Sequence, residues 1–129
     1  MFLGFGYDLA VRCVKEGMIV FAGCYLPDTP KLLKEHCQRL PGKLSPFFLE
    51  VSSQDSVNKA LKFVEDRLAV GQGLHAIVNN AAIVKVGFDD WITAEDFEAC
   101  LKVNTFGSIR VTEKFKNLVK RAKSVFCFD

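Results

Sequence analysis

One alternation dominates this sequence. Short apolar runs that suit buried strands are separated by longer stretches whose apolar residues recur at helical spacing. The runs are Met18-Ile19-Val20-Phe21-Ala22, then Pro46 to Val51 (PFFLEV), Ala76-Ile77-Val78, and finally Ser124 to Phe128 (SVFCF). Ahead of the first run, Leu9, Ala10, Cys13 and Val14 form one stripe, with Gly17 placed to end the helix. After it, Asp28 or Thr29 can cap a second helix that has Pro30 at its first position, Leu32, Leu33, His36, Cys37 and Leu40 on its inner face, and Pro41-Gly42 as its stop. Ser52 and Asp55 stand three apart as a near capping box for a third helix, whose inner face is Val57, Ala60, Leu61, Val64 and Leu68. Gly71-Gln72-Gly73 ends that helix. Thr93 and Asp96 open a single long fourth helix with Phe97, Cys100, Leu101, Ile109 and Phe115 among its apolar positions. Helix and strand thus alternate four times, which predicts right-handed crossovers, a parallel sheet and an α/β fold.

The chain has 129 residues, enough for one modest domain. Its net charge of +2 leaves no electrostatic footprint for nucleic acid or an acidic membrane surface. Lys116, Lys120 and Arg121 fall near the end of the last helix, where cations suit the dipole, and read as a solvated terminus. The five cysteines, Cys13, Cys24, Cys37, Cys100 and Cys127, include no CxxC pair, so neither a zinc site nor a redox couple is signalled. Buried free thiols in a reducing compartment are the expectation. No apolar run approaches the ~18–20 residues of a membrane span. The N-terminus lacks the positive region of a secretory signal, so an intracellular location is expected.

Two places could carry chemistry. Gly4-Phe5-Gly6 opens the first helix, where glycines let the backbone approach a phosphate and the helix end supplies free N–H groups. A flexible N-terminus explains the same residues. The run Ala76-Ile77-Val78 breaks into Asn79-Asn80-Ala81-Ala82, two amides and two small side chains. In open α/β sheets ligands bind outside the carboxyl ends of the strands. An ordinary exit from a strand would also look like this.

Taken together, these residues resemble the short-chain dehydrogenase/reductase family, in particular its retinol, steroid and 3-hydroxybutyrate dehydrogenase branch. Gly4-Phe5-Gly6 matches the end of the family's TGxxxGxG turn, and Val20 to Cys24 its second strand. Leu49-Glu50-Val51 falls where the family has Asp before Val, and Asn79-Asn80-Ala81-Ala82 matches its NNAG. Leu101 to Gly107 (LKVNTFG), followed by Ile109-Arg110-Val111-Thr112, matches the fourth-helix motif. The resemblance covers essentially the whole chain. It implies a partial Rossmann-like, doubly wound parallel sheet, an incomplete NAD(P)-binding domain over residues 1–129 that lacks the first strand and everything after the fifth. Gly4 and Gly6 are expected against the cofactor pyrophosphate, and Glu50 and Val51 near the adenine. Asn79, Asn80 and Ala81 are expected along the nicotinamide-side ribose. Asn104 corresponds to the active-site Asn, which holds a water in the proton relay. Ala82 replaces a glycine, a change that is free of strain only at negative φ.

Departures from the pattern bear on activity. The family's chemistry needs a Tyr general acid/base, a Lys four residues later and a Ser. The tyrosines here are Tyr7 and Tyr25, with Val11 and Thr29 four residues on. A chain cut at both ends from an NAD(P)-dependent oxidoreductase is therefore expected, inactive as it stands, with NAD slightly favoured over NADP. The parent's substrate would be a small alcohol or ketone of the retinol, steroid or 3-hydroxybutyrate kind. Absence of the first strand is expected to leave two two-stranded halves without a shared ladder, unless another chain fills the gap. The alternative is a non-catalytic module that binds a nucleotide or pairs with another chain as a homo- or hetero-oligomer. No metal and no nucleic acid are expected.

Overall fold

The computed structural model describes residues 4–88 and 91–123. In chain order the elements are α1 (Phe5–Lys15), β1 (Ile19–Cys24), α2 (Thr29–Cys37), β2 (Lys43–Phe48) and α3 (Gln54–Glu65). After a long connection come α4 (Ala94–Cys100), a π-helical turn (Leu101–Thr105) and α5 (Phe106–Arg121). The expected final strand, Ser124 to Phe128, and Asp89 and Asp90 of the connection lie outside the described residues.

β1 and β2 pair in parallel, with Ile19 opposite Lys43 and Cys24 opposite Phe48. Side-chain alternation then sorts the strands between two cores. Phe21 and Phe47 pack on one side, against a cluster of Val57, Ala60, Val64, Val111, Phe115 and Leu118 from α3 and α5. Val20, Ala22, Cys24 and Leu44 turn the other way, towards Ala10 of α1 and Leu33 of α2. Helices therefore cover both faces, as doubly wound topology requires.

The second strand was expected over Pro46 to Val51 but forms over Lys43–Phe48. Ladder register sets its extent, because β1 offers partners only from Ile19 to Cys24. Past Phe48 the chain is already turning: Leu49 N–H still donates to Cys24 O (2.9 Å), while Ser53 N–H donates back to Glu50 O (3.1 Å). Pro46 sits inside β2 without cost. Lys43 and Leu49 point their N–H groups at β1, so in a parallel ladder the alternate positions 44, 46 and 48 point theirs outward, where Pro46 has none to lose. By the same alternation Ile19, Phe21 and Gly23 turn their backbone groups to the far side of β1.

Residues 76–78 form no strand. Their apolar character is right, and Ile77 packs against the α3–α5 cluster. A strand is defined by a ladder, however, and no described segment pairs with them. The two expected half-sheets thus reduce to one two-stranded sheet among the described residues.

Helix ends follow local chemistry, with some shifts. α1 ends at Gly17, whose φ of +83° suits glycine. Its buried residues are Ala10 and Val14, while Leu9 is exposed. Asp28 precedes α2 without a side-chain capping bond, and His36 lies outside its buried face of Leu33 and Cys37. For α3 the cap is Ser53, whose side chain accepts from Ser56 N–H. Ser52, the expected cap, instead donates to Glu50 Oε1 (2.9 Å). Thr93 and Asp96 do form a capping box at α4.

The expected single helix from Thr93 onward is interrupted by the π turn, in which Phe106 N–H donates to Leu101 O. Of the expected apolar face, Phe97, Leu101 and Ile109 are exposed (61%, 52% and 49%), Ile109 lying on the side of α5 opposite Val111. The buried face of α5 is Gly107, Val111, Phe115, Leu118 and Val119. Leu118→Ala is expected to cost about 2–5 kcal/mol in urea denaturation, against less than about 0.5 kcal/mol for Leu101→Ala on the exposed side. Equal losses would place the helix's packing face elsewhere.

Candidate functional site

The chain after the 76–78 run comes against the start of α1, and the loop after β2 comes against α5. Gly4 precedes α1 in extended conformation, with no side-chain cap. Its carbonyl takes the first helical bonds, from the N–H of Tyr7 (2.9 Å) and of Asp8 (3.4 Å). The N–H groups of Gly4, Phe5 and Gly6 precede the helical ladder and project from the positive end of the helix dipole. Gly6 lies against Asn80: a Cβ there would fall 2.5 Å from Asn80 Nδ2, so a larger residue would have to displace that amide. The glycine turn and the amide pair, seventy residues apart in the chain, therefore touch.

On the β2 side, the Glu50–Ser53 turn is held by its own side chains. Glu50 N–H donates to Ser56 Oγ (2.9 Å), and the Ser52 hydroxyl donates to the Glu50 carboxylate (2.9 Å). Val51 packs directly on the backbone of α5 at Gly107, where a Cβ would come within 2.7 Å of Val51 Cγ2. One turn along, Arg110 Nη1 donates to Val51 O (2.8 Å).

The same helical rod holds the amide side. Asn79 Nδ2 donates to Thr112 Oγ1 (3.1 Å). Asn104, in the π turn, grips the backbone of Ile83 with both ends of its amide. Ile83 N–H donates to Asn104 Oδ1 (2.9 Å) and Asn104 Nδ2 donates to Ile83 O (2.8 Å). The Asn104 carbonyl accepts from Ser108 Oγ (3.0 Å). Asn104 is thus exposed, but its side-chain amide is held by Ile83. Ala82 does not take a positive φ, since Lys123 is the only non-glycine residue that does so among the described residues, and it replaces a glycine here without backbone strain.

Gly6 with Asn80, Val51 with α5, Asn79 with Thr112, and Asn104 with Ile83 are therefore brought together. Ala81 lies exposed between them, and Gly4 has open space around it. Arg110, Thr112 and Gly107 carry structural roles that reading the sequence did not assign. Their only signal was membership of the LKVNTFG-SIRVT stretch. Beside Asn104 a cavity of about 230 Å³ opens between Ile83, Ile92, Phe97 and Cys100, with Lys85 and Asp96 also lining it. These last two are ion-paired at 3.4 Å.

Residues 2–125 match the short chain dehydrogenase family. The chain belongs to that family. It is 37% identical over 122 residues to human short-chain dehydrogenase/reductase family 9C member 7, a match covering 93% of this chain and 37% of that protein. Bovine mitochondrial D-beta-hydroxybutyrate dehydrogenase is 34% identical over 122 residues, with 93% of this chain and 36% of the relative covered. Mouse retinol dehydrogenase 7 is 33% identical over 120 residues, again covering 93% of this chain and 37% of the relative. The short-chain dehydrogenase chain described here thus spans little more than a third of the length of these relatives, and belongs with their branch. Its fold superposes on an alcohol dehydrogenase from the archaeon Thermococcus sibiricus complexed with 5-hydroxy-NADP, with a TM-score of 0.81 at 22% identity. That match covers 94% of this chain and 52% of the other. Among the described residues, no helix is long and apolar enough to cross a membrane.

Two outcomes follow from this geometry. Asn104→Ala removes both bonds to Ile83 and is expected to cost about 1–2 kcal/mol, with faster hydrogen exchange at the Ile83 amide. Unchanged exchange there would rule out the clamp. The Thr93 backbone N–H, with smaller help from Lys85, holds the Asp96 carboxyl below the usual Asp range. A depressed folded value means the stabilisation is present above the unfolded value of about 4 and is lost as pH falls from there through the folded one. Carboxyl NMR should show Asp96 titrating low and the first turn of α4 losing protection over that acid window. An ordinary Asp titration would contradict the capping box.

Proposed function

We propose that this chain forms the nicotinamide-nucleotide-binding part of an NAD(P)-dependent oxidoreductase of alcohols, of the retinol, steroid or 3-hydroxybutyrate kind. The observation that carries the reading is the meeting of the Gly4–Gly6 turn with Asn80 at the carboxyl ends of the strands. A pyrophosphate needs a helix N-terminus with a backbone free of side chains, and Gly4 and Gly6 supply one. In this reading Gly4 and Gly6 bear on the pyrophosphate, and Glu50 and Val51 on the adenine. Asn79, Asn80 and Ala81 line the nicotinamide-side ribose, and Asn104 corresponds to the active-site Asn that holds a water in the proton relay. The residues fit such a group: the turn next to Gly4 is open, and the Glu50 and Asn79 side chains are already anchored by hydrogen bonds. When bound, the nicotinamide ring supplies the hydride acceptor. β1 ends at Gly23-Cys24 with neither an acidic residue for a ribose 2′-OH nor an Arg for a 2′-phosphate, so NAD is slightly favoured over NADP only because the branch commonly uses it.

Binding and turnover separate in this chain. None of its tyrosines has a Lys four residues on, and positioned acid–base transfer contributes on the order of 10²–10⁴-fold to such reactions. The 129 residues alone are therefore expected to bind nucleotide without turning over alcohol.

One observation favours a second reading, a module that pairs with another chain. The far edge of β1 turns the backbone groups of Ile19, Phe21 and Gly23 away from β2, and Ile19 is 57% exposed. Such an edge accepts an added strand. A concentration-dependent shift to a defined dimer would support it.

The nucleotide reading is tested by heating the chain with NAD or NADP at millimolar concentration. A tenfold excess over Kd stabilises by about 1.4 kcal/mol, enough to raise Tm by several degrees in a small domain. Gly6→Val, which drives a side chain into Asn80, is expected to abolish the shift. Absence of any shift with the unmodified chain would remove the nucleotide reading. Cofactor-dependent turnover of a retinoid, steroid or 3-hydroxybutyrate would overturn the separation of binding from chemistry.

A further inference from the structure

We infer that Arg110 is a positioning residue for the base end of the nucleotide, acting through the Glu50–Val51 turn. The inference rests on the nucleotide reading above and assigns a role to a residue remote from the glycine turn.

The Glu50–Val51 turn leaves β2 at its carboxyl end, the side on which α/β sheets hold ligands. Its internal bonds fix Glu50 to Ser52 and Ser56 but leave the peptide after Val51 without a partner within the turn. That peptide's carbonyl is taken by Arg110 Nη1 at 2.8 Å. The same nitrogen lies 3.3 Å from Phe106 O, four residues back on α5, so the guanidinium is itself braced against the helix it grows from. Gly107 lets the Val51 side chain lie against the helix backbone. The turn is thereby referenced to α5 by both its side chain and its carbonyl.

What makes this more than a structural tie is where else the rod is fastened. Thr112 holds Asn79, and Asn104, one π turn before α5, holds Ile83. Asn79 and Ile83 flank the wall assigned to the nicotinamide-side ribose. A single helical segment from Asn104 to Thr112 therefore sets the distance between the loop assigned to the base and the wall assigned to the other end. Arg110 is the fastening on the base side alone. Its chemistry suits that task, since a guanidinium is always charged and donates in a fixed fork, giving a shorter and more directional bond to a carbonyl than a neutral donor. A hydrophobic residue of similar length would fill the space but leave the Val51 carbonyl unheld.

The test is nucleotide binding by the whole chain, comparing Arg110→Met, which keeps the aliphatic stem, with Arg110→Lys, which keeps a donor without the fork. Three ligands are titrated: AMP, nicotinamide mononucleotide and NAD. Arg110→Met is expected to weaken AMP and NAD about tenfold and leave nicotinamide mononucleotide unchanged. Arg110→Lys is expected to recover part of the loss. Hydrogen exchange at the amides of Val51 to Ser53 is expected to quicken in Arg110→Met. Equal weakening of all three ligands, no weakening of any, or loss of the fold in both variants would overturn the role of Arg110. Failure of the unmodified chain to bind AMP or NAD would instead overturn the nucleotide reading and this inference with it. That outcome is recognised from the unmodified chain alone.

Discussion

Everything else in the molecule is hung on the parallel ladder between β1 and β2. Its register places Ile19 opposite Lys43 and Cys24 opposite Phe48, and the pleat then decides which side chain belongs to which core. Phe21 and Phe47 are committed to the α3–α5 side, and Val20, Ala22 and Leu44 to the α1–α2 side. A slip of one residue in either strand would exchange these sets and bring down both clusters together. Because both faces are covered, β1 (Ile19–Cys24) reads as a continuous apolar run. This is the pattern of a parallel sheet, not that of a half-exposed antiparallel one.

The second organising feature is the segment from α4 through the π turn to α5. The extra residue at Leu101–Thr105 rotates the phase of the helix, so Asn104 faces the chain at Ile83 while Gly107, Val111 and Phe115 face the core. Phe97 and Leu101, before and within the turn, and Ile109, on the face of α5 opposite Val111, are all exposed. The same segment ties down Val51 and, on a second loop distant in the chain, Asn79 and Ile83. The candidate site is therefore a property of one rigid element as much as of the loops themselves.

Much of this was legible from residue order. Helix starts and stops carry local chemistry, so the capping box at Thr93 and Asp96 and the left-handed glycine after α1 were readable, as was the apolar face of α3. Errors arose where two local solutions compete. Ser52 and Ser53 can each cap α3, and the choice goes to Ser53 because Ser52 is drawn to the Glu50 carboxylate. Strand limits are equally non-local. PFFLEV is apolar throughout, yet its last residues leave the ladder because β1 has run out of partners. The 76–78 run has strand-like composition but pairs with no segment among the described residues.

The order of residues by itself determined the α/β class, the helix periods, and the family to which the chain belongs. Each depends on patterns within a window of a few turns or on short motifs such as Asn79-Asn80-Ala81. Only the tertiary structure decided that Asn80 lies against Gly6, that Asn104 spends its amide on Ile83, and that Arg110 reaches the Val51 carbonyl. Those contacts join positions from about twenty to more than seventy residues apart. A hydrogen bond or a steric limit at that range leaves no periodic trace in the chain, because it exists only once the packed sheet and helices have brought the two ends together.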